Sequence, residues 1–241
     1  MNNAVKIVRV LLSGGKEYVG VMRLHGDVPR DKIESCFDIF QGEIYQKPPV
    51  RSSVKRRLRT RRIYYLELLE VDGRDVLFRV GCEAGTYIRK LCYDIGEILG
   101  CGAHMRELRR TRVSTFTENE CVHVDDVFDA YMSWKESGDE STLRRIVRPM
   151  EDALSIIPQI TVKDTAVEAI CSGADLAIPG VVAFTSDIHE GSLVAMFTVK
   201  GEAVALGLSQ LSAEMFLERD RGIAVRIERV LMQPGTYPRS W

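Results

Sequence analysis

Three groups of residues in this 241-residue chain have types and spacings suited to chemistry. Tyr87 and Arg89 stand two apart at the head of a stretch with helical spacing, so that the phenol can point into a pocket while the guanidinium reaches a carboxylate. A phenol, with an ordinary pKa of about 10, acts as an acid or base only when it is positioned. Leu108-Arg109-Arg110 places an apolar side chain beside two cations able to reach phosphates. Between Arg51 and Arg62 there are seven Lys or Arg residues and no acid, and Lys55, Arg56, Arg57, Arg59, Arg61 and Arg62 form a candidate phosphate track. Tyr18, in Lys16-Glu17-Tyr18, is on residue grounds alone an aromatic core residue of a strand.

Other chemistries have little to stand on. Cys36, Cys82, Cys92, Cys101, Cys121 and Cys171 are scattered without a CxxC pair, and His25, His104, His123 and His189 make no cluster. Buried reduced thiols and no metal are the expectation. The formal net charge of -1 is segregated, basic from Arg51 to Arg62 and predominantly acidic from Glu118 to Asp152. Phosphate binding depends on charge within a Debye length of about 8 Å, so a local basic stripe can hold a polyanion on a near-neutral protein. No stretch has the length and apolarity of a membrane span, and the N-terminus has no signal pattern, so the expected location is the cytoplasm.

The elements that must position these residues follow from periodicity and turn signals. Lys16 to Leu24 alternates as a strand, and Arg30 to Phe40 reads as an amphipathic helix closed by Gly42. Gln46 to Val50 is a loop fixed by two prolines. Ile63 to Val71 and Asp75 to Cys82 are strands joined at Asp72-Gly73, where a hairpin turn needs positive φ. Thr86 to Leu99 has helical spacing with Gly100 as its stop. Val124 to Glu136 and Ser141 to Met150 read as covering helices. From Pro158 the texture becomes short strands, Val181 to Thr185, Ser192 to Val199, Ala203 to Leu208 and Ile223 to Leu231, preceded by a helix at Asp164 to Cys171; this spacing implies a small barrel. The expected class is α+β, a mixed and mainly antiparallel sheet with helices in residues 1–157 and a small β-barrel in 158–241.

The ordered run Gly85-Thr86-Tyr87-Ile88-Arg89-Lys90-Leu91, Asp94-Ile95-Gly96, Gly102-Ala103-His104 and Leu108-Arg109-Arg110 resembles the pseudouridine synthases of the TruB and dyskerin type. Gln46-Lys47-Pro48-Pro49 with Ser53 and Lys55 is similar to the family's Gln-x-Pro-Pro segment. Ser172-Gly173-Ala174-Asp175, the Gly180 turn and Gly235-Thr236-Tyr237-Pro238-Arg239 resemble the PUA domain of archaeal and eukaryotic members. The resemblance implies that Tyr18 packs on a flipped uracil, that Tyr87 contacts it and takes the proton from carbon 5, that Arg89 aims the nucleophilic Asp, and that Leu108 lines the pocket. It further implies RNA contact by Arg109, Arg110 and the Gly173, Ala174, Asp175 loop, and no cofactor. Its partners would be a box H/ACA guide RNA, rRNA or tRNA substrate, a small zinc-ribbon protein, a Gly-Arg-rich type protein and a kink-turn-binding ribosomal-type protein.

The family's nucleophile, an Asp in a Gly-Thr-Leu-Asp-Pro-like segment, precedes the residue matched by Tyr18. No Asp stands ahead of Tyr18 in these residues. The expectation is an N-terminally truncated pseudouridine synthase fold, inactive by itself and poorly soluble. The missing half would continue upstream in the gene product or come from a second polypeptide. The competing expectation is a non-catalytic guide-RNA scaffold.

Overall fold

A computed structural model describes residues 3–48 and 55–238. Pro49 and Ser53 of the proline segment, Arg51 of the basic run and Arg239 of the terminal motif lie outside the described residues. The chain divides into two compact units, residues 12–121 and residues 1–11 with 122–241.

After α1 (Val8–Ser13), most of which belongs to the other unit, residues 12–121 contain β1 (Lys16–Leu24), α2 (Arg30–Ile39), β2 (Gly42–Gln46), β3 (Arg59–Asp72), β4 (Asp75–Cys82), α3 (Ile88–Ile98), β5 (Ala103–Val113) and β6 (Phe116–Thr117). They build one antiparallel sheet of order β2-β3-β4-β1-β5-β6. Alternation sends Met22, Leu24, Val76, Phe78 and Val80 to one face, where they pack with Ile33 and Phe37 of α2 and Leu91 and Ile95 of α3. Gly73 takes φ +56° in the β3–β4 turn, as that two-residue hairpin demands. Gly96 lets α3 lie against the chain entering β5, because a Cβ there would sit 2.1 Å from the Ala103 nitrogen.

In the other unit, α4 (Val124–Ser137), α5 (Ser141–Ile146) and α6 (Met150–Leu154) precede a β-structure of β7 (Gln159–Val162), α7 (Asp164–Cys171), β8 (Leu176–Ala177), β9 (Val181–Phe184), β10 (Leu193–Thr198), β11 (Ala203–Ser209), α8 (Ala213–Glu218) and β12 (Ile223–Val230). Its strand order is β8-β12-β11-β10-β7-β9, antiparallel except for the β7–β10 pair. Ile160, Val162, Val194, Met196, Val204, Ala224 and Val225 fill its core and are completely buried.

Packing groups the chain differently from the division at residue 157 read from the sequence. The first residues and α6 join the barrel's unit: Asn3 donates to the Leu231 carbonyl at 2.7 Å, Lys6 to that of Val230 at 2.7 Å, and the Glu151 carboxylate accepts the Ala203 N–H at 3.1 Å. The stretch read as one helix from Ser141 to Met150 is broken, because the residue before Pro149 is pushed out of helical geometry; α5 stops at Ile146 and α6 begins at Met150. α4 is less covered than a packed helix, with Val124 83 %, Phe128 61 % and Tyr131 46 % exposed. Cys36, Cys82, Cys92 and Cys171 are buried thiols, but Cys101 is half-buried and Cys121 exposed, which corrects the expectation of six buried ones. Burial pushes the Cys82 thiol up to about 11 and that of Cys92 to about 12.

Candidate functional site

Tyr18 lies on β1, half-buried, with its ring against the core on the face that carries α2 and α3. Across β5 it pairs with Arg110, and two residues along the same face Gly20 pairs with Leu108. Gly20 is needed there: a Cβ would lie 3.0 Å from the Leu108 Cδ1 and 2.9 Å from the Phe78 ring. Tyr18, Leu108 and Arg110 therefore share one face. Leu108 is 38 % exposed, so it borders an open space instead of filling a core.

Tyr87 reaches the neighbourhood from the far end of β4. The turn after Cys82 is stitched to β3: the Glu83 N–H donates to the Arg62 carbonyl at 2.8 Å, and the Arg62 N–H donates to the Glu83 carboxylate at 3.1 Å. Thr86 Oγ1 donates to the Glu83 carbonyl at 2.7 Å, and Gly85 crosses at φ +81°. Tyr87 then caps α3 in extended geometry. Gln46, only 2 % exposed at the end of β2, holds it at two points: the Tyr87 N–H donates to Gln46 Oε1 at 2.9 Å and Gln46 Nε2 donates to the Tyr87 carbonyl at 3.2 Å. Two hydrogen bonds from one buried carboxamide fix both the position and the rotation of the peptide that carries the Tyr87 side chain.

Arg89, the second residue of α3, is exposed and has no ion-pair partner among the described residues. An exposed guanidinium at a helix start beside a fixed tyrosine is open to a carboxylate brought from elsewhere. It escapes the large cost of a buried unpaired charge by remaining solvated.

The other basic residues divide by what already holds them. Lys55, Arg56, Arg57 and Arg62 are exposed, with Arg56 Nε donating to the Pro48 carbonyl at 3.3 Å. Arg59 is half-buried. Arg61 lies over Gly85, its side chain 18 % exposed, and pairs with Glu83 at 3.5 Å. Arg109 points to the face opposite Arg110 and pairs with Glu118 at 2.7 Å, so the two neighbours do not act as one patch. Arg110 is exposed, and its charge, after burial, helps to hold the Lys16 ammonium below the usual lysine range. Lys16 in turn donates to the Leu12 and Gly14 carbonyls, both at 2.6 Å.

In the barrel, Gly173 turns at φ +92° and the Gly173 and Ala174 N–H groups close α7 by donating to the Ile170 and Ala169 carbonyls at 2.8 and 2.9 Å. Asp175 accepts the Ile227 N–H at 2.9 Å, which ties this exposed loop to β12. The terminal motif is fastened too: the buried Glu168 accepts the Gly235 N–H at 2.8 Å and Tyr237 donates to Glu202 at 2.5 Å.

Sequence reasoning passed over the group behind Tyr18. On the opposite face of the sheet the Glu17 carboxylate accepts hydrogen bonds from Tyr65 and, at 2.7 Å, from Thr111, while Arg112 donates to the Tyr65 oxygen at 2.8 Å. The Tyr65 hydrogen bond, with Thr111 and the Arg112 charge behind it, holds Glu17 below the ordinary glutamate range, and burial followed by the Glu17 contact raises Tyr65. Gly81 makes room for this, since a Cβ would sit 2.3 Å from the Tyr65 ring. The available signal was an acidic residue directly before Tyr18 in a strand, facing a row of arginines. Among the described residues no three His, Cys, Asp or Glu gather as a metal site, and no helix is long and apolar enough to cross a membrane.

A sheet that offers aromatic and apolar groups beside a fixed tyrosine and an exposed arginine, joined to a β-barrel with an exposed loop, is the equipment of an RNA-base-modifying protein. Residues 26–88 match the TruB family pseudouridylate synthase N-terminal domain, 89–155 the tRNA pseudouridylate synthase B C-terminal domain, and 158–231 the PUA domain. A probable tRNA pseudouridine synthase B of Methanopyrus kandleri is 57 % identical over 241 residues, all of this chain and 71 % of that protein, and one of Pyrococcus abyssi is 53 % identical over 242 residues and 72 % of its length. Among solved structures, a Cbf5-Nop10-Gar1 complex matches with TM-score 0.94 at 51 % identity over 99 % of this chain and 73 % of that one. An H/ACA RNP bound to a substrate RNA containing 2'-deoxyuridine matches with TM-score 0.91 at 49 % identity over the same shares of the two chains. The chain belongs to the TruB family of pseudouridine synthases.

Proposed function

We propose that this chain carries the uridine pocket and guide-RNA-binding barrel of the catalytic subunit of a box H/ACA RNA-guided pseudouridine synthase, acting in the cytoplasm on rRNA and tRNA. The observation that supports this most directly is the Gln46 grip on Tyr87 beside an exposed Arg89. Tyr18 and Leu108 flank the extracted base, and Tyr87 receives the proton of carbon 5. Uridine isomerises as its glycosidic bond to N1 breaks and a bond to carbon 5 forms; N1 gains a proton as carbon 5 loses one, and no cofactor is consumed. The nucleophile is a carboxylate aimed by Arg89, and the Asp that fills this role in the family has no counterpart ahead of Tyr18 in these 241 residues. The chain alone is therefore inactive, and the carboxylate reaches Arg89 from another segment or a companion chain.

Residues 1–157 act as the C-terminal portion of the catalytic domain and 158–241 as the PUA domain. Guide RNA lies along Lys55, Arg56, Arg57, Arg59, Arg61, Arg62 and Arg110 and against the Gly173, Ala174, Asp175 loop. The partner proteins are the three that the family resemblance implies: a small zinc-ribbon protein, a Gly-Arg-rich type protein and a kink-turn-binding ribosomal-type protein; the solved Cbf5 complex that this chain matches holds two further proteins, Nop10 and Gar1. The test is tritium release from guided RNA carrying 5-tritiated uridine. The chain alone is expected to release none, and addition of an Asp-bearing N-terminal segment to restore release that Arg89→Ala abolishes. Release by the chain alone would overturn the role given to Arg89.

A second reading, a non-catalytic guide-RNA scaffold, draws on the exposed Lys55, Arg56, Arg57, Arg62 and Arg110. It predicts tight guide binding with no release under either condition.

A further inference from the structure

The pairing of β5 with β1 contains a double displacement. From Ala103 to Met105 the odd-numbered residues share the core face: Ala103 pairs with Leu24 and Met105 with Met22. The register then skips Arg106, so that Glu107, Leu108, Arg109 and Arg110 oppose Val21, Gly20, Val19 and Tyr18. It skips again at Thr111, and Arg112 and Val113 oppose Glu17 and Lys16, back in the original phase. Each skipped residue is a β-bulge, and each bulge exchanges the faces of the residues beyond it. For four residues only, even numbers point to the side of Tyr18. Without the two bulges that side would receive Glu107 and Arg109, an anion and a different cation, in place of Leu108 and Arg110.

Both skipped residues are fastened by carboxylates on neighbouring strands. Arg106 donates to Asp75 Oδ2 of β4 at 2.7 Å, and the same oxygen accepts Arg23 of β1 at 2.9 Å. Thr111 donates to Glu17 of β1, whose other oxygen accepts Tyr65 of β3, reaching across Gly81. The second fastening thus spans four adjacent strands, because Arg112 of β5 completes it through the Tyr65 oxygen. A bulge left unpinned can migrate along a ladder, and every residue it passes changes face.

We propose that the paired bulges at Arg106 and Thr111 are a framing device, that Asp75 and Glu17 lock them, and that these four are positioning residues which select Leu108 and Arg110 for the base-binding face. Arg110, and not its neighbour Arg109, is the member of the pair that meets RNA phosphate. That this face receives uridine rests on the function proposed above; the selection of residues stands without it.

A disulfide trap in the 241-residue chain reads the frame directly. Val19→Cys with Arg109→Cys joins residues that face each other in the bulged register, whereas Val19→Cys with Leu108→Cys joins those that would face each other if β5 ran on from Met105 without a bulge. With the products identified by peptide mass spectrometry, the first pair is expected to close at least about tenfold faster than the second in the native background. Asp75→Ala and Arg106→Met, which each release the first skipped residue, are expected to shift closure toward the second pair. Arg106→Lys, which restores a donor to Asp75, is expected to restore the preference. An unchanged preference in both Asp75→Ala and Arg106→Met overturns the proposal, and so does Arg106→Lys behaving like Arg106→Met.

A second measurement separates the frame from the pocket. Binding of an H/ACA-type hairpin RNA is measured against salt for Arg110→Ala and Arg109→Ala. Loss of about one unit of salt slope for Arg110→Ala alone is the expected result. Equal slopes for the two variants overturn the assignment of RNA contact to Arg110. If the trap still reports the bulged frame in that case, it is the reading of this face as a uridine pocket that has failed.

Discussion

In the barrel, β10 and β11 bury all but one residue each, whereas in β5 of the sheet unit only Ala103 is buried. The barrel's order comes from apolar packing: Ile160, Met196 and Val204 are fully enclosed. The outer part of β5 is held instead by side-chain bonds to carboxylates, Arg106 to Asp75, Thr111 to Glu17 and Arg109 to Glu118. A strand that must leave one face open for a ligand cannot be fixed by burying that face, so its register is fixed from behind by polar contacts.

Substitution tells the two kinds of strand apart. Ile160→Ala, at a completely enclosed side chain of β7, is expected to cost about 2–5 kcal/mol, while Leu108→Ala on β5 costs less than about 1 kcal/mol. Denaturant unfolding measures both, and similar losses would erase the distinction between them. Gln46→Ala leaves the Tyr87 N–H without its partner and is expected to cost about 1–3 kcal/mol, with Gln46→Glu failing to rescue because a carboxylate cannot donate to the Tyr87 carbonyl.

Acid acts on the polar fastening more weakly. Glu17 titrates below its unfolded value of about 4.3, so its contribution to stability is present above that pH and is lost as pH falls through the lower folded value. Glu17→Gln is expected to flatten the acid limb of the stability profile of residues 12–121 and to leave a barrel probe unmoved. An identical acid limb in the variant would show that Glu17 does not carry this dependence. The smallest effect is expected from Arg89→Ala, which changes stability by less than about 0.5 kcal/mol because the side chain is exposed and unpaired among the described residues. A larger loss would reveal a partner for Arg89 within the fold.

Regular alternation made much of this fold legible. β1 and β4 have the bounds that their sequence pattern suggested, and the Asp72-Gly73 turn joins β3 to β4 as its chemistry requires. β5 was hidden because its bulges interrupt the period of two within a run crowded by arginines, leaving its motif visible but its strand not. β2 was hidden because it has only five residues. In the site, the order Gly85 to Arg110 marked Tyr87, Arg89 and Leu108, but no periodicity could show that Arg109 and Arg110 part company. That separation depends on two skipped positions visible only once the strands are paired. Gln46 lay within a segment read as a proline-fixed loop; its hold on Tyr87 spans 41 residues and has no local signature.

The Gln46 joint differs in kind from the Glu17 joint. A carboxamide has no proton to gain near neutrality, whereas a carboxylate does once the solution is acidic enough. The two tyrosines are therefore moored differently: Tyr87 by an anchor indifferent to pH, Tyr18 on a strand whose rear anchor can be neutralised. On acidification the strand behind Tyr18 loses a charged anchor, while the Gln46 hold on the Tyr87 peptide keeps both of its hydrogen bonds.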